Sequence, residues 1–131
     1  MALEKAVLLA EKVGHIFVAT ADTVGQPHVA AAAQLANAKD GRVAVRAWFC
    51  PGTMVNVMQN RRIALVIWDA RADEGFQLFG KVEHVQDLSV LNGYAPEAQK
   101  KPPLPQIERQ LLIRVDKILQ FTHAPHSDLE Q

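Results

Sequence analysis

The sequence has one cysteine, Cys50, in 131 residues, which excludes an intramolecular disulfide and fits a reducing compartment. It has no net charge either, because fourteen Lys and Arg balance fourteen Asp and Glu. A chain without a basic or acidic excess is not marked as a partner for nucleic acid or for an acidic membrane surface. Long hydrophobic runs are missing as well. Residues 3–13 carry Glu4, Lys5, Glu11 and Lys12 among apolar positions, so they read neither as a signal peptide nor as a membrane span. The expectation is a soluble, cytoplasmic protein. There is no glycine-rich nucleotide fingerprint, and spacing alone assembles no Ser-His-Asp or Cys-His catalytic set. The length suits a single domain over residues 1–131.

What is present reads mostly as strands. Residues 3–13 form an amphipathic helix closed by Gly14, a residue suited to a left-handed cap, with residues 1–14 as the N-terminal helical segment. Leu8 falls in the middle of that helix's charged arc. Strands are expected at residues 15–20 and 28–35, joined through the turn Asp22-Thr23-Val24-Gly25-Gln26-Pro27. Residues 42–48 alternate, with Val43, Val45 and Ala47 facing one way and Arg42, Arg46 and Trp48 the other. A short helix over residues 53–60 precedes the apolar run Ile63-Ala64-Leu65-Val66-Ile67-Trp68. A long strand follows over residues 75–85, where Gly80 predicts a bulge or a close backbone approach. Residues 87–92 suggest one or two helical turns, residues 96–105 an irregular proline-rich loop, residues 111–122 a last strand and residues 123–131 a polar tail. Six strands with short helices in their connections describe a small barrel.

One junction has the shape of a functional corner. Trp48-Phe49-Cys50-Pro51-Gly52-Thr53-Met54 runs from a strand through a Pro-Gly-Thr turn into a helix. Free backbone N–H groups at such a helix start invite an anion, yet this corner holds no lysine or arginine.

Four segments in order resemble the FMN-binding split barrels related to pyridoxamine phosphate oxidase. They are Phe17-Val18-Ala19-Thr20 with Gly25-Gln26-Pro27-His28; the strand over residues 42–48; the stretch Asn56-Val57-Met58-Gln59-Asn60-Arg61-Arg62-Ile63-Ala64-Leu65-Val66; and Gly80-Lys81-Val82-Glu83. The resemblance covers residues 15–85 and, more loosely, 110–120. It implies a mainly β fold, a six-stranded split β-barrel of Greek-key type with short peripheral helices, assembled as a homodimer. It also implies FMN in clefts between the subunits and an oxidoreductase-like redox role. Ala30, Ala31 and Ala32 would offer a flat wall, while Arg46, Ala47, Trp48 and Thr53 would line the cleft. The chain departs from the family at the phosphate site. Pro51, Gly52 and Thr53 stand where the relatives carry basic and hydroxyl residues, and Ala30 stands near an expected arginine. Only Thr53 keeps a hydroxyl there, leaving helix N–H groups and Arg46 to complete a phosphate cradle. Pyridoxamine phosphate oxidase activity itself is not expected, since that enzyme's basic residues and longer C-terminal substrate segment are missing. A flavin-free small-molecule-binding or regulatory dimer is the alternative, and a haem-handling protein a third reading.

Other residues have competing roles. Thr53 reads as a phosphate contact or as a helix-end residue, Arg46 as a phosphate contact or a surface cation, and Trp48 as a ring platform or a packing contact. Cys50 sits where a helix start lowers a thiol's pKa, but with no partner near it in sequence a buried, inert thiol is expected. His15, His28 and His84 read as structural residues on strands. Asn56 is expected to support the turn, and Arg61-Arg62 to be a solvated corner. His123 and His126, separated by Pro125, read as tail, so no metal site is expected. No catalytic acid or base can be named.

Overall fold

A computed structural model describes residues 2–91, 106–125 and 128–131. Helix α1 (Ala2–Val13) leads into strands β1 (Ile16–Ala21), β2 (Pro27–Ala32), β3 (Gln34–Asn37) and β4 (Arg42–Ala47). Helix α2 (Pro51–Gln59) follows, and then β5 (Arg62–Asp69), β6 (Glu74–Leu91) and β7 (Gln106–Gln120). The strands make one antiparallel sheet in the order β2-β1-β5-β6-β7-β4-β3.

That order requires a curled sheet. β2 and β3 lie at its two edges, yet only Ala33 separates them in the chain. Laid flat, the two edges of such a sheet would be about 29 Å apart at the usual strand spacing of about 4.8 Å. Two peptide links span roughly 7 Å. The sheet therefore bends round until its edges meet, which fits the split barrel.

Seven strands replace the expected six, because the bend at Ala33 divides the strand expected over residues 28–35. Its alanines carry no alternation that could have marked the break. The helical turns expected over 87–92 are also corrected for the described part of that stretch. β6 continues as strand to Leu91 because β7 begins at Gln106, earlier than expected, and pairs with it through Asp87↔Arg109, Val90↔Ile107 and Leu91↔Gln106. A cross-strand ladder here overrides weak local preference. The loop expected over 96–105 lies outside the described residues.

The interior follows the two-residue pleat. Ile16 and Val18, Val43 and Val45, Ile63, Leu65 and Ile67, and Leu111 and Ile113 are buried. α1 packs against β3 and β5 through Ala6, Val7, Leu9 and Ala10, and Gly14 closes it at φ +88°. Lys12 Nζ, 3.2 Å from Asp69 Oδ2, ties its end to β5. Leu8 is exposed on the outer arc.

Bulges in the β6–β7 ladder re-aim particular side chains. At Gly80 an added Cβ would lie 2.1 Å from the Arg114 carbonyl oxygen, so this close approach admits only glycine. Between Val82↔Ile113 and His84↔Leu112 the register shifts, and Glu83 becomes the extra residue. Its carboxylate accepts from the Nε of Arg42 and, at 3.0 Å, from the Nε of Arg114. Those two arginines face each other directly across β4 and β7, where like charges repel. Glu83 neutralises that conflict.

The segment after β7 is less free than a tail. Asp73 Oδ1 accepts from the N–H of His123 at 2.7 Å and Oδ2 from that of Ala124 at 2.8 Å, while Leu119 bridges Glu130. Those N–H bonds, His123's before Ala124's, followed by the Trp68 indole, hold the Asp73 carboxyl below its ordinary range. His126 lies outside the described residues.

Candidate functional site

The corner before α2 is built by alternation that outlasts its strand. Val43, Val45, Ala47 and Phe49 are buried, whereas Arg46, Trp48 and Cys50 are exposed. Cys50, in extended backbone at φ −69°, is the N-cap of α2, and Pro51 opens the helix where an N–H is dispensable. Gly52 and Thr53 complete the first turn.

α2 packs against β1 and β2, and this brings the corner onto His28. Cys50 Sγ lies 3.3 Å from Thr53 Oγ1 and 3.9 Å from His28 Nε2. Thr53 Oγ1 lies 3.4 Å from His28 Nδ1. Gly52 permits this approach, since a Cβ there would sit 3.3 Å from His28 Nε2. The Thr53 side chain is fully buried while the sulfur is open to solvent. The thiol is held below its ordinary pKa, first by the Thr53 hydroxyl. Partial burial opposes this, and the backbone N–H groups of Thr53, Cys50 and Gly52 reinforce it.

The corner thus sets the Cys50 thiol at the start of α2 beside the Thr53 hydroxyl and the His28 ring. The expectation of a buried Cys50 without a partner is corrected, as is the expectation that no Cys-His arrangement exists. His28 is half-buried on β2 and is 22 residues distant in sequence from Cys50. Only the strand pairing of β2 and the packing of α2 unite them. The spacing of Cys50 and Thr53 across a first helical turn was the one readable trace.

Behind the corner, Asn56 is buried, and its Nδ2 donates to Thr20 Oγ1 at 3.1 Å. This bond fastens α2 to β1. Arg46 Nη2 reaches only the neutral Gln110 Oε1, at 3.5 Å, and makes no ion pair among the described residues. Trp48, 43% exposed, stands on the same face two residues later. A cation and a flat ring therefore face solvent together just ahead of α2.

No family model and no curated protein matches the sequence. Solved structures do match. An FMN-binding protein from Syntrophomonas wolfei is 17% identical with a TM-score of 0.65, over 94% of this chain and 88% of that one. A protein of the pyridoxine phosphate oxidase family from Clostridium acetobutylicum, related to general stress protein 26 of Bacillus subtilis, is 15% identical with a TM-score of 0.65, over 98% and 93%. The fold is that of the pyridoxamine 5'-phosphate oxidase-like split barrels. HutZ, the heme storage protein from Vibrio cholerae, shares this chain's fold at 10% identity with a TM-score of 0.55, over 88% and 91%.

Within this split barrel the residues singled out from sequence take distinct places. Ala30 and Ala32 face inward beside His28, while Ala31 points out of the barrel with Val29. The three alanines therefore form no common wall, because successive strand residues face opposite sides. Arg46 and Trp48 share the outer face, Ala47 enters the core, and Thr53 is sealed beneath Cys50. His15 is exposed, with its ring 5.4 Å from that of Phe17, and His84 is exposed on β6. Arg61 and Arg62 are solvated. Among the described residues no three His, Cys, Asp or Glu side chains gather as a metal set, and no helix is long and apolar enough to cross a membrane.

Proposed function

We propose that this protein is a flavin-binding split barrel that holds FMN in clefts between two copies of the chain and serves a redox role. The observation that carries the reading is the outward-facing pair Arg46 and Trp48, set directly before α2 in a fold shared with an FMN-binding protein. Arg46 has no carboxylate partner among the described residues, which leaves its guanidinium available to a phosphate. Trp48 offers an aromatic face to a planar ring. The residues present thus fit a flavin nucleotide, with one cation at its phosphate and Thr53 engaged with Cys50 and His28 instead. When bound, the flavin supplies the electron transfer; the chain binds and orients it.

A second copy of the chain is the partner this reading needs. Phe17, Val29, Trp48, Val55 and Met58 are large apolar side chains left exposed on β1, β2, the corner and α2. An apolar surface of this kind suits subunit contact. A flavin-free binding dimer is favoured by one specific observation, namely that the Thr53 hydroxyl, the one hydroxyl at the corner's phosphate position, is engaged by Cys50 and His28.

The spectrum of the protein as purified, followed by FMN titration and sedimentation analysis, tests the reading. Bound FMN in a dimer is expected, and Arg46→Gln is expected to weaken its binding by about tenfold, the worth of a charge-assisted bond. A colourless dimer that takes up no FMN would establish the flavin-free alternative, and a Soret band would point to haem.

A further inference from the structure

We propose that Cys50, with His28 as its proton acceptor, is a nucleophilic thiol that undergoes exchange with low-molecular-weight disulfides, making it a site of reversible S-thiolation. The proposal is independent of flavin binding. It rests on two groups from separate elements converging on one solvent-open sulfur: the Thr53 hydroxyl of α2 and the His28 imidazole of β2.

With Nδ1 protonated, His28 joins the three side chains into one chain of hydrogen bonds leading to the Cys50 thiol. In this tautomer His28 Nδ1–H donates to Thr53 Oγ1 across 3.4 Å, and among the described residues the sulfur, 3.3 Å away, is left as the side-chain acceptor for the Thr53 hydroxyl hydrogen. Buried Thr53 is thereby oriented as a donor toward Cys50. In this tautomer Nε2 presents its lone pair to the sulfur at 3.9 Å, where it takes the thiol proton. Nucleophile, base and orienting hydroxyl are the parts an activated thiol requires, with contacts of a looseness common before a substrate binds. Access is open, because Pro51 and Gly52 beside the sulfur are exposed and small.

The exchange balances without a further oxidant. The Cys50 sulfur attacks one sulfur of RS–SR, a Sγ–S bond forms, and the S–S bond of the reagent breaks. The departing RS⁻ takes the proton from His28 Nε2 and leaves as RSH. Cys50 is oxidised and the reagent reduced by the same electron pair. Cys50 is the chain's sole cysteine, so no internal thiol can resolve the adduct, and a second external thiol must reverse it.

The test uses the intact protein with oxidised glutathione and with 5,5'-dithiobis(2-nitrobenzoic acid) at pH 7. Intact mass should show one glutathionyl group per chain, removed by dithiothreitol and absent from Cys50→Ser. The native thiol should react about threefold faster than the same thiol in guanidinium-unfolded protein, a modest gain because a stabilised anion is also a weaker nucleophile. His28→Asn, checked for folding by circular dichroism, should remove that advantage. A native rate equal to or below the unfolded rate would overturn the proposal, as would a folded His28→Asn protein that keeps the wild-type rate. The native-to-unfolded comparison needs no variant and decides the matter even where His28→Asn does not fold.

Discussion

Glu83, a carboxylate, and Cys50, a thiol with a lowered pKa, are both held by neighbours from distant parts of the chain, yet they are built to opposite ends. Glu83 is pushed out of the ladder by a bulge, and each carboxylate oxygen meets its own arginine Nε. Nothing is left over. At Cys50 the contacts are long, no carboxylate, lysine or arginine side chain among the described residues is one of the sulfur's partners, and the sulfur faces solvent. The first arrangement satisfies charge and so fixes strands β4, β6 and β7 against one another. The second leaves a reactive group oriented and accessible. Full satisfaction marks structure, and partial satisfaction at an exposed site marks chemistry.

The sharpest way to break this contrast is at Gly80, three residues before Glu83. Gly80→Ala forces a methyl to within 2.1 Å of the Arg114 carbonyl oxygen, and the obstructing atom is backbone. β7 must move, carrying Arg114 away from Glu83. A loss of about 3 kcal/mol or more is expected by chemical denaturation, the level reserved for strained or overpacked positions. The Cys50 corner draws on α2, β1 and β2 and should keep its thiol reactivity under conditions where this variant stays folded.

Thr53→Val comes next. The change keeps shape and removes the hydroxyl that joins Cys50 to His28. A cost of about 1 kcal/mol is expected from the lost buried hydrogen bonds. The more telling readout is the thiol titration followed by thiolate absorbance. The Thr53 hydroxyl is the foremost cause of the lowered Cys50 pKa, so the variant's pKa should rise. An unchanged titration would assign the lowering to the helix N–H groups instead.

How much of this was legible beforehand differs between the two centres. The alternation of Val43, Val45 and Ala47 announced the inner face of β4, and Gly80 announced its close approach, because both signals are local. The strand–turn–helix corner was readable for the same reason. The Cys50–His28 pair was not, since it depends on α2 docking over β2, and no spacing rule encodes docking. The division at Ala33 escaped notice because an all-alanine stretch has no inside or outside in its sequence. Glu83 lay in a readable motif, but its role needs the register shift between Val82 and His84, which only the β6–β7 ladder reveals.

Glu83→Gln has the smallest expected effect and the clearest signature. Glutamine keeps one acceptor oxygen and loses the charge that separates Arg42 from Arg114, so a slight fall in Tm at neutral pH is expected. Glu83 and both arginines are partly open to water, where ion pairs are screened. The pH dependence supplies the identification. The Arg42 bond first, then the Arg114 bond, hold the Glu83 carboxyl below its ordinary range in the folded protein. A carboxyl depressed on folding stabilises fully above its unfolded pKa, about 4.3 for glutamate, and that contribution disappears as pH falls through the lower folded value. The Tm gap between wild type and Glu83→Gln should therefore be widest near neutrality and close in acid, and it should narrow in about 1 M salt, where the Debye length is about 3 Å. A gap that stays constant into strong acid would mean that Glu83 acts through shape at the bulge, and that its charge pairing with the two arginines contributes nothing to holding β4 and β7 together.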